Sequence, residues 1–223
     1  MKYSCRHFLA ALLLLLATAA TPQTPEQALC AVCRVLEGTT TPEKVAASTI
    51  YQGQTYYFCA KRCQGIFAQD PEAYVPPVLP RPAPSFTVNT LTGEAVTLAN
   101  FRGQVLLLDF WATWCKPCVR TLPSLQKVHD QFADSGFSVV GIAVNEKGVK
   151  PVQSFRQKHK ITYPIFMDAA DKPAWETYRV KVIPAMFLID RQGQIVQQWV
   201  NEPDFNEVTA AIRRLVAKPE PRD

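Results

Sequence analysis

Beyond residue 100 the chain alternates two patterns of apolar residues. Val105–Phe110 (VLLLDF) and Phe137–Val144 are short, nearly continuous apolar runs, as in strands covered on both faces. Between them, Lys116–Ala133 places Val119, Leu122, Leu125, Val128 and Phe132 at three- and four-residue steps, which predicts an amphipathic helix. Val149–His159 reads as helix, Tyr163–Met167 as extended and Ala174–Tyr178 as a short helix. Ala185–Ile189 and Ile195–Val200 read as two strands around the turn DRQGQ, and Phe205–Val216 as a last helix. This order predicts an α/β domain, a central mixed sheet flanked by helices, over residues 86–217.

Residues 28–75 form a second compact segment, small and cysteine-rich. Between the two lies VPPVLPRPAPS, five prolines in eleven residues. Proline denies backbone donors and holds the chain near polyproline II, so residues 76–85 are expected to be a semi-rigid linker. Residues 1–20 begin with Lys2 and Arg6, run apolar from Phe8 to Ala20 apart from Thr18, and offer Ala17 and Ala19 as an A-x-A cleavage pattern. That layout predicts a signal peptide and a periplasmic protein. The alternative is an uncleaved segment anchoring the chain to the membrane, facing the periplasm; the apolar run of 13 residues is short for a bilayer.

Apolar residues make up 48% of the chain and charged residues 19%, which excludes global disorder. Removing Lys2 and Arg6 brings the net charge from +5 to +3. No block of five or six like charges occurs, so no nucleic-acid partner is expected. Cleavage also removes Cys5 and leaves six of the seven cysteines.

Two of the six lie in Trp111-Ala112-Thr113-Trp114-Cys115-Lys116-Pro117-Cys118, after a buried strand and at the start of a helix. A thiol there faces unpaired N–H groups and the positive end of the helix dipole, with Lys116 beside it. These favour the thiolate, which is the attacking species. Cys118, one turn on, can return to resolve a mixed disulfide. Pro117 suits the first turn of a helix. A structural disulfide needs neither the helix N-terminus nor the tryptophan, and a zinc site needs a second pair that this domain lacks.

These residues resemble the thioredoxin superfamily, and within it the TlpA/ResA-like exported thiol–disulfide oxidoreductases, over about residues 82–217. FRGQVLLLDFWATWCKPC is similar to the family's strand–motif–helix core and VKVIPAMFLIDRQGQIV to its later segment. The resemblance implies a thioredoxin-like fold, catalytic Cys115 and Cys118, and a cis Pro184 facing them. It also implies client contacts from Trp114, Lys116, Pro117 and the backbone of Ile183. The redox chemistry needs no cofactor beyond the Cys115–Cys118 pair. Three positions depart from the subgroup, one of them Asp109, which stands where an asparagine is common. Thr121 stands where a glutamate is common, and Ala185 follows Pro184 where the cytochrome-maturation branch carries a glutamate. Asp109 in the strand before the motif matches thioredoxin itself. A carboxylate in an apolar strand should titrate high, so Asp109 is expected to take the proton-transfer role.

The other four cysteines form Cys30-x2-Cys33 and Cys59-x3-Cys63, with 25 residues between the pairs. Such spacing suits a four-thiolate metal site, and soft thiolates suit zinc or copper. Two disulfides, or a purely structural zinc, are the other readings. YQGQTYYFCAKRCQGIFAQDPEAYV resembles YHS/TRASH-type metal-binding domains, over about residues 28–75. His129 and His159 are expected to be surface or helix-packing residues.

Two functions fit. One is an exported oxidoreductase that reduces disulfides in metal- or haem-protein clients, of copper-site or apocytochrome c type, and is recharged by an upstream membrane thiol reductase. The other is a metal carrier or sensor whose thioredoxin-like domain keeps its thiols reduced or docks a partner. The membrane is a contact only if the leading segment is retained.

Overall fold

The computed structural model describes residues 24–144 and 147–217. The segment read as a signal peptide, with Cys5, lies outside the described residues. Among these, no helix is long and apolar enough to cross a membrane.

The N-terminal unit opens with β1 (Gln27–Ala28), which pairs antiparallel with β2 (Glu43–Lys44). The short helix α1 (Ala31–Leu36) lies between them. A hairpin follows, β3 (Ala47–Tyr51) and β4 (Gln54–Phe58). Its two-residue turn, Gln52-Gly53, has positive φ at both positions (50° and 77°), the twist that suits a tight hairpin. Helix α2 (Lys61–Gln69) starts three residues after β4 ends. Phe67, fully buried, is the hub: the rings of Tyr51, Tyr56, Phe58 and Tyr74 stand 5.1–6.4 Å from it, centre to centre. This aromatic core, with Cys30, Cys33 and Cys63, is separate from the cores of the C-terminal unit.

The Pro-rich stretch is a shorter linker than the expected 76–85. Arg81–Pro82 forms strand β5. The Ala83 amide donates to the Gly193 carbonyl at 2.9 Å, and Phe86 is buried. Proline cannot donate, but an edge strand needs donors on one side only, and the alternating Arg81 and Ala83 retain theirs. Leu79–Pro80 is a cis peptide.

Seven further strands complete an eight-stranded mixed sheet: β6 (Thr87–Thr90), β7 (Ala95–Thr97), β8 (Val105–Trp111), β9 (Phe137–Ala143), β10 (Ile165–Asp168), β11 (Ala185–Ile189) and β12 (Gln194–Val200). The order is β5-β12-β11-β8-β9-β10-β6-β7, with β8, β9 and β10 parallel and the other pairs antiparallel. The helices are α3 (Lys116–Phe132), α4 (Val149–Lys158), α5 (Ala174–Thr177) and α6 (Phe205–Val216). This is the thioredoxin-like fold. The short, polar β6 and β7 escape the periodicity argument because edge strands need little apolar sequence.

All seven residues of β8 are buried. Val105, Leu107 and Trp111 join the core under α3 and α6; Leu106, Leu108 and Phe110 join the opposite core with Phe187, Tyr178 and Phe86. Leu122, Leu125, Val128 and Phe132 of α3 are the buried positions of its predicted stripe, and Gly136, left-handed at φ 67°, turns the chain into β9. Burying such side chains stabilises by about 1.5–3 kcal/mol each.

Among the described residues, ion pairs and a close packing contact join the two units. Arg179 reaches Asp70 (2.8 Å) and Glu72 (2.9 Å), and Lys181 reaches Asp70 at 2.9 Å. On the other side Gly38 packs so near Asn201 that a Cβ on it would meet Nδ2 at 3.1 Å.

Candidate functional site

Strand β8 runs out at Trp111, and the chain turns through Thr113-Trp114 into α3. Cys115 is the N-cap of that helix: the Cys118 amide donates to its Sγ at 3.2 Å. Cys115 and Cys118 are joined as a disulfide, with both residues buried. Around them, Trp114 is 64% exposed, Lys116 is exposed and Pro117 half-buried. The pair is thus sealed below and open only at the rim.

Ile183–Pro184 is a cis peptide just before β11. The Ile183 carbonyl oxygen lies 3.7 Å from Cys115 Sγ. The Asn201 amide donates to the Pro184 carbonyl at 2.9 Å, and Glu202 accepts a bidentate pair from Arg120, two residues past Cys118. The loops on either side of the disulfide are therefore tied to one another. Ile183 precedes the ladder of β11, which leaves its backbone at the mouth of the site.

Asp109 is fully buried, and neither carboxyl oxygen has a hydrogen-bond partner. Its strand partners are Met186 and Gly141, and alternation along β8 places it on the face of Leu107 and Trp111, the face covered by α3. Burial alone pushes its pKa up to about 7. Thr121 spends its hydroxyl on the Cys118 carbonyl at 2.8 Å. It is thereby removed as a proton carrier.

The four remaining described cysteines converge. Cys30 caps α1 and Cys33 lies in its first turn; Cys59 ends the hairpin and Cys63 sits in the first turn of α2. Their sulfurs all lie within 4.8 Å of one another, with Cys33–Cys59 at 3.5 Å, Cys59–Cys63 at 3.8 Å and Cys33–Cys63 at 4.0 Å. A tetrahedron with metal–sulfur bonds of about 2.3 Å has edges of about 3.8 Å. The donor set therefore fits one tetrahedral ion, whereas these three spacings are far too long for S–S bonds. Burial opposes the Cys30 thiolate, but the amides of Cys33 and Cys59, then their thiols, outweigh it and hold the group below its ordinary value. Burial pushes Cys33 up, and pushes Cys59 up to about 11. Such a cluster holds several thiolates together only if a cation replaces the protons.

The catalytic and client-contact candidates thus gather at one end of the sheet, and the thiol quartet forms its own centre in the N-terminal unit. His129 and His159 lie apart from the quartet: His129 packs on Tyr163 and His159 stacks on Phe155. Nothing in residue spacing points to Tyr163, Asn201 or the Arg179–Lys181 pair, because each acquires its place through a loop.

Comparison with known proteins bears on both units. The AhpC/TSA family model matches residues 79–198, and the YHS domain model matches residues 36–78. The latter begins after Cys33, so the first cysteine pair joins the centre through the fold rather than through the matched stretch. Thiol-disulfide oxidoreductase ResA of Bacillus thuringiensis (strain Al Hakam) is 27% identical over 152 residues, 68% of this chain and 84% of its own length. Thioredoxin-like protein YneN of Bacillus subtilis is 37% identical over 117 residues, 51% of this chain and 66% of its own. The crystal structure of a thiol:disulfide interchange protein of the thioredoxin family from Chlorobium tepidum superposes with a TM-score of 0.55 at 29% identity, covering 64% of this chain and 100% of that one. The chain belongs to the AhpC/TSA family, as a thioredoxin-fold thiol–disulfide oxidoreductase that carries a YHS domain on its N-terminal side.

Proposed function

We propose that the protein reduces disulfides in exported clients with paired metal-ligand cysteines, proteins of copper-site or apocytochrome c type. The observation that carries this reading is the Cys115–Cys118 disulfide, N-capping α3 beside the Ile183 carbonyl at 3.7 Å. The charge pattern of residues 1–20 supports export to the periplasm.

In the reductive direction the Cys115 thiolate attacks one client sulfur. The client S–S bond breaks, a Cys115–client disulfide forms, and the other client sulfur leaves as a thiolate that takes a proton from solvent. Cys118 then gives its proton to the Asp109 carboxylate and attacks Cys115. The client's remaining sulfur leaves as a thiolate and takes a proton from solvent, and the Cys115–Cys118 disulfide is restored. The client gains two electrons and two protons, and a membrane thiol reductase returns two electrons to the pair. Trp114 and Pro117 frame the entry and Lys116 adds positive charge there. Pro184 shapes the facing loop, and the Ile183 backbone pairs with an extended client segment.

Cys30, Cys33, Cys59 and Cys63 would hold one zinc or Cu(I) ion. A closed four-thiolate set suits zinc as a structural cross-link, which allows a small domain with a modest core to fold. A second reading, a metal carrier or sensor, draws on the partial exposure of Cys59, which gives a partner access to one ligand. One assay separates them. Insulin reduction by the full chain should vanish in Cys115→Ser, and Cys118→Ser should accumulate a mixed disulfide. Metal transfer to an acceptor that survives Cys115→Ser, with no insulin reduction by the parent protein, would overturn the reductase reading.

A further inference from the structure

Among the described residues, four with buried, unpartnered polar atoms lie together under α3: Asp109 (both oxygens), Trp111 Nε1, Tyr163 Oη and His129 Nδ1. The first three residues are completely buried. Gly141, the strand partner of Asp109, is the point where they meet: a Cβ there would lie 3.1 Å from Trp111 Nε1 and 3.3 Å from Tyr163 Cε2. Tyr163 in turn faces His129, ring centres 6.0 Å apart and edge to face. His129 stands on α3 and is only half-buried. The sequence of groups therefore runs from the sealed carboxyl to the edge of the core.

Buried polar atoms almost always find partners, in protein or in internal water. None of these atoms bonds another directly, so bridging water is the partner that would serve all of them. A chain of hydroxyl, imidazole and water can pass a proton without any group moving far. Asp109 needs such a chain, because a carboxyl that accepts the Cys118 proton in every cycle must also lose it, and it has no exposed surface.

We propose that Tyr163 and His129 are the relay through which Asp109 exchanges its proton with solvent, and that they set the pH dependence of the resolving step. The inference rests on the reading of Asp109 as proton acceptor. Once Cys118 has closed the disulfide, protonated Asp109 gives its proton towards Tyr163 Oη, which passes its own on to His129 Nδ1, and the imidazole releases one to solvent. No electrons move in this step. Tyr163 and His129 act through Asp109 and are positioning residues rather than catalytic ones. The titratable groups on this face are Cys115, Cys118 and His129 from α3, Tyr163 ahead of β10, Asp109 itself and, behind Phe155, His159 at the end of α4, stacked on that ring at 4.2 Å. Met186 and Leu188 of β11, Val152 and Phe155 of α4, and Val208, Ala211 and Ile212 of α6 add only apolar surface. Burial, then the Asp109 carboxylate, pushes the Tyr163 hydroxyl well above its ordinary value, so it serves as a neutral relay and not as a base.

The test is stopped-flow reaction of the reduced, zinc-loaded full chain with dithiobis(nitrobenzoate), with a Cys115→Ser/Cys118→Ser protein subtracting the remaining thiols. Attack by Cys115 releases one thionitrobenzoate; attack by Cys118 releases the second. Tyr163→Phe and His129→Phe should leave the first phase unchanged, slow the second about tenfold at pH 7 and move its pH midpoint. His129→Gln, which hydrogen-bonds but takes up no proton near neutral pH, should be as slow as His129→Phe; a parent rate in it would overturn the relay. A second phase with the parent midpoint in both Phe variants overturns the relay, whether or not its rate falls; if Tyr163→Phe does not fold, the His129 variants decide. Asp109→Asn separates the layers. If it leaves the second phase and its midpoint untouched, the Asp109 reading fails; if it removes the pH dependence while the Phe variants keep it, the relay alone fails.

Discussion

Arg179 donates to Asp70 at 2.8 Å across the boundary between the two units. Asp70 caps the end of α2, the helix that carries Cys63, and Arg179 opens the segment that leads to Pro184. A surface contact thus runs between the helix that bears Cys63 and the segment leading to the loop that faces the disulfide. Burial opposes the Asp70 carboxylate, but Lys181, then Arg179, outweigh it and hold it below its ordinary value. A lowered carboxyl pKa adds stability above about pH 4, which is lost as pH falls through the folded value.

Asp70→Asn should therefore loosen the docking of the two units without unfolding either. These groups are partly exposed, so the loss should be small, about 1 kcal/mol. Faster proteolytic cleavage within residues 76–80 checks it, and acidification below about pH 4 or high salt should mimic the variant. Parent-like cleavage in all three conditions would show that the pairs do not hold the units together.

Asp109 makes an opposite prediction. Its carboxyl is raised by burial from 3.8 to about 7, so the neutral form is the one the fold favours. Its contribution is full below about pH 4, the unfolded value, and is lost as pH rises through about 7, at a cost approaching about 4 kcal/mol in alkali. Urea unfolding of the C-terminal unit should show stability falling over that window, and Asp109→Asn should flatten the curve. A parent curve that is flat from pH 4 to 8 would place the carboxylate in contact with solvent or a cation.

Metal removal should act on one unit only. Chelation should unfold residues 24–75, read as lost far-ultraviolet ellipticity and rapid proteolysis there, while the C-terminal unit keeps its own melting transition. Phe67→Ala should do the same even with metal present. Truncating this hub costs about 3–5 kcal/mol, comparable with the whole stability of a domain this size. A folded metal-free N-terminal unit would mean that the aromatic core suffices.

Gly141→Ala tests the crowding beside Asp109. A Cβ 3.1 Å from Trp111 Nε1 and 3.3 Å from Tyr163 Cε2 is crowded, so the tightly packed rings must give by a few tenths of an ångström, at about 1–3 kcal/mol. Thermal unfolding should record the loss, and Trp111 fluorescence the displacement. A neutral substitution would show that the two rings are loosely held.

Much of this protein is local chemistry and is legible as such. The stripe of Leu122, Leu125, Val128 and Phe132 has the period of one helix face, and VLLLDF, too short an apolar run for a buried helix, reads as a strand with both faces covered, so helix, central strand and the motif between them follow from spacing and length. The cysteines divide by spacing as well: one pair opens a helix, and four others come as two short-spaced pairs. The short edge strands β6 and β7, and the pairing of Arg81–Pro82 with β12, are hidden, because an edge needs backbone partners more than apolar side chains. Tertiary structure alone decides which loops meet: the Ile183 carbonyl beside Cys115, Asn201 on the Pro184 carbonyl, and Cys30 and Cys33 closing on Cys59 and Cys63. It also decides that Asp109 and Tyr163 are buried in one core and that His129 packs edge to face on Tyr163. Those relationships join residues 17 to 68 positions apart, at distances set by how sheet and helices pack, and no period in the chain encodes them.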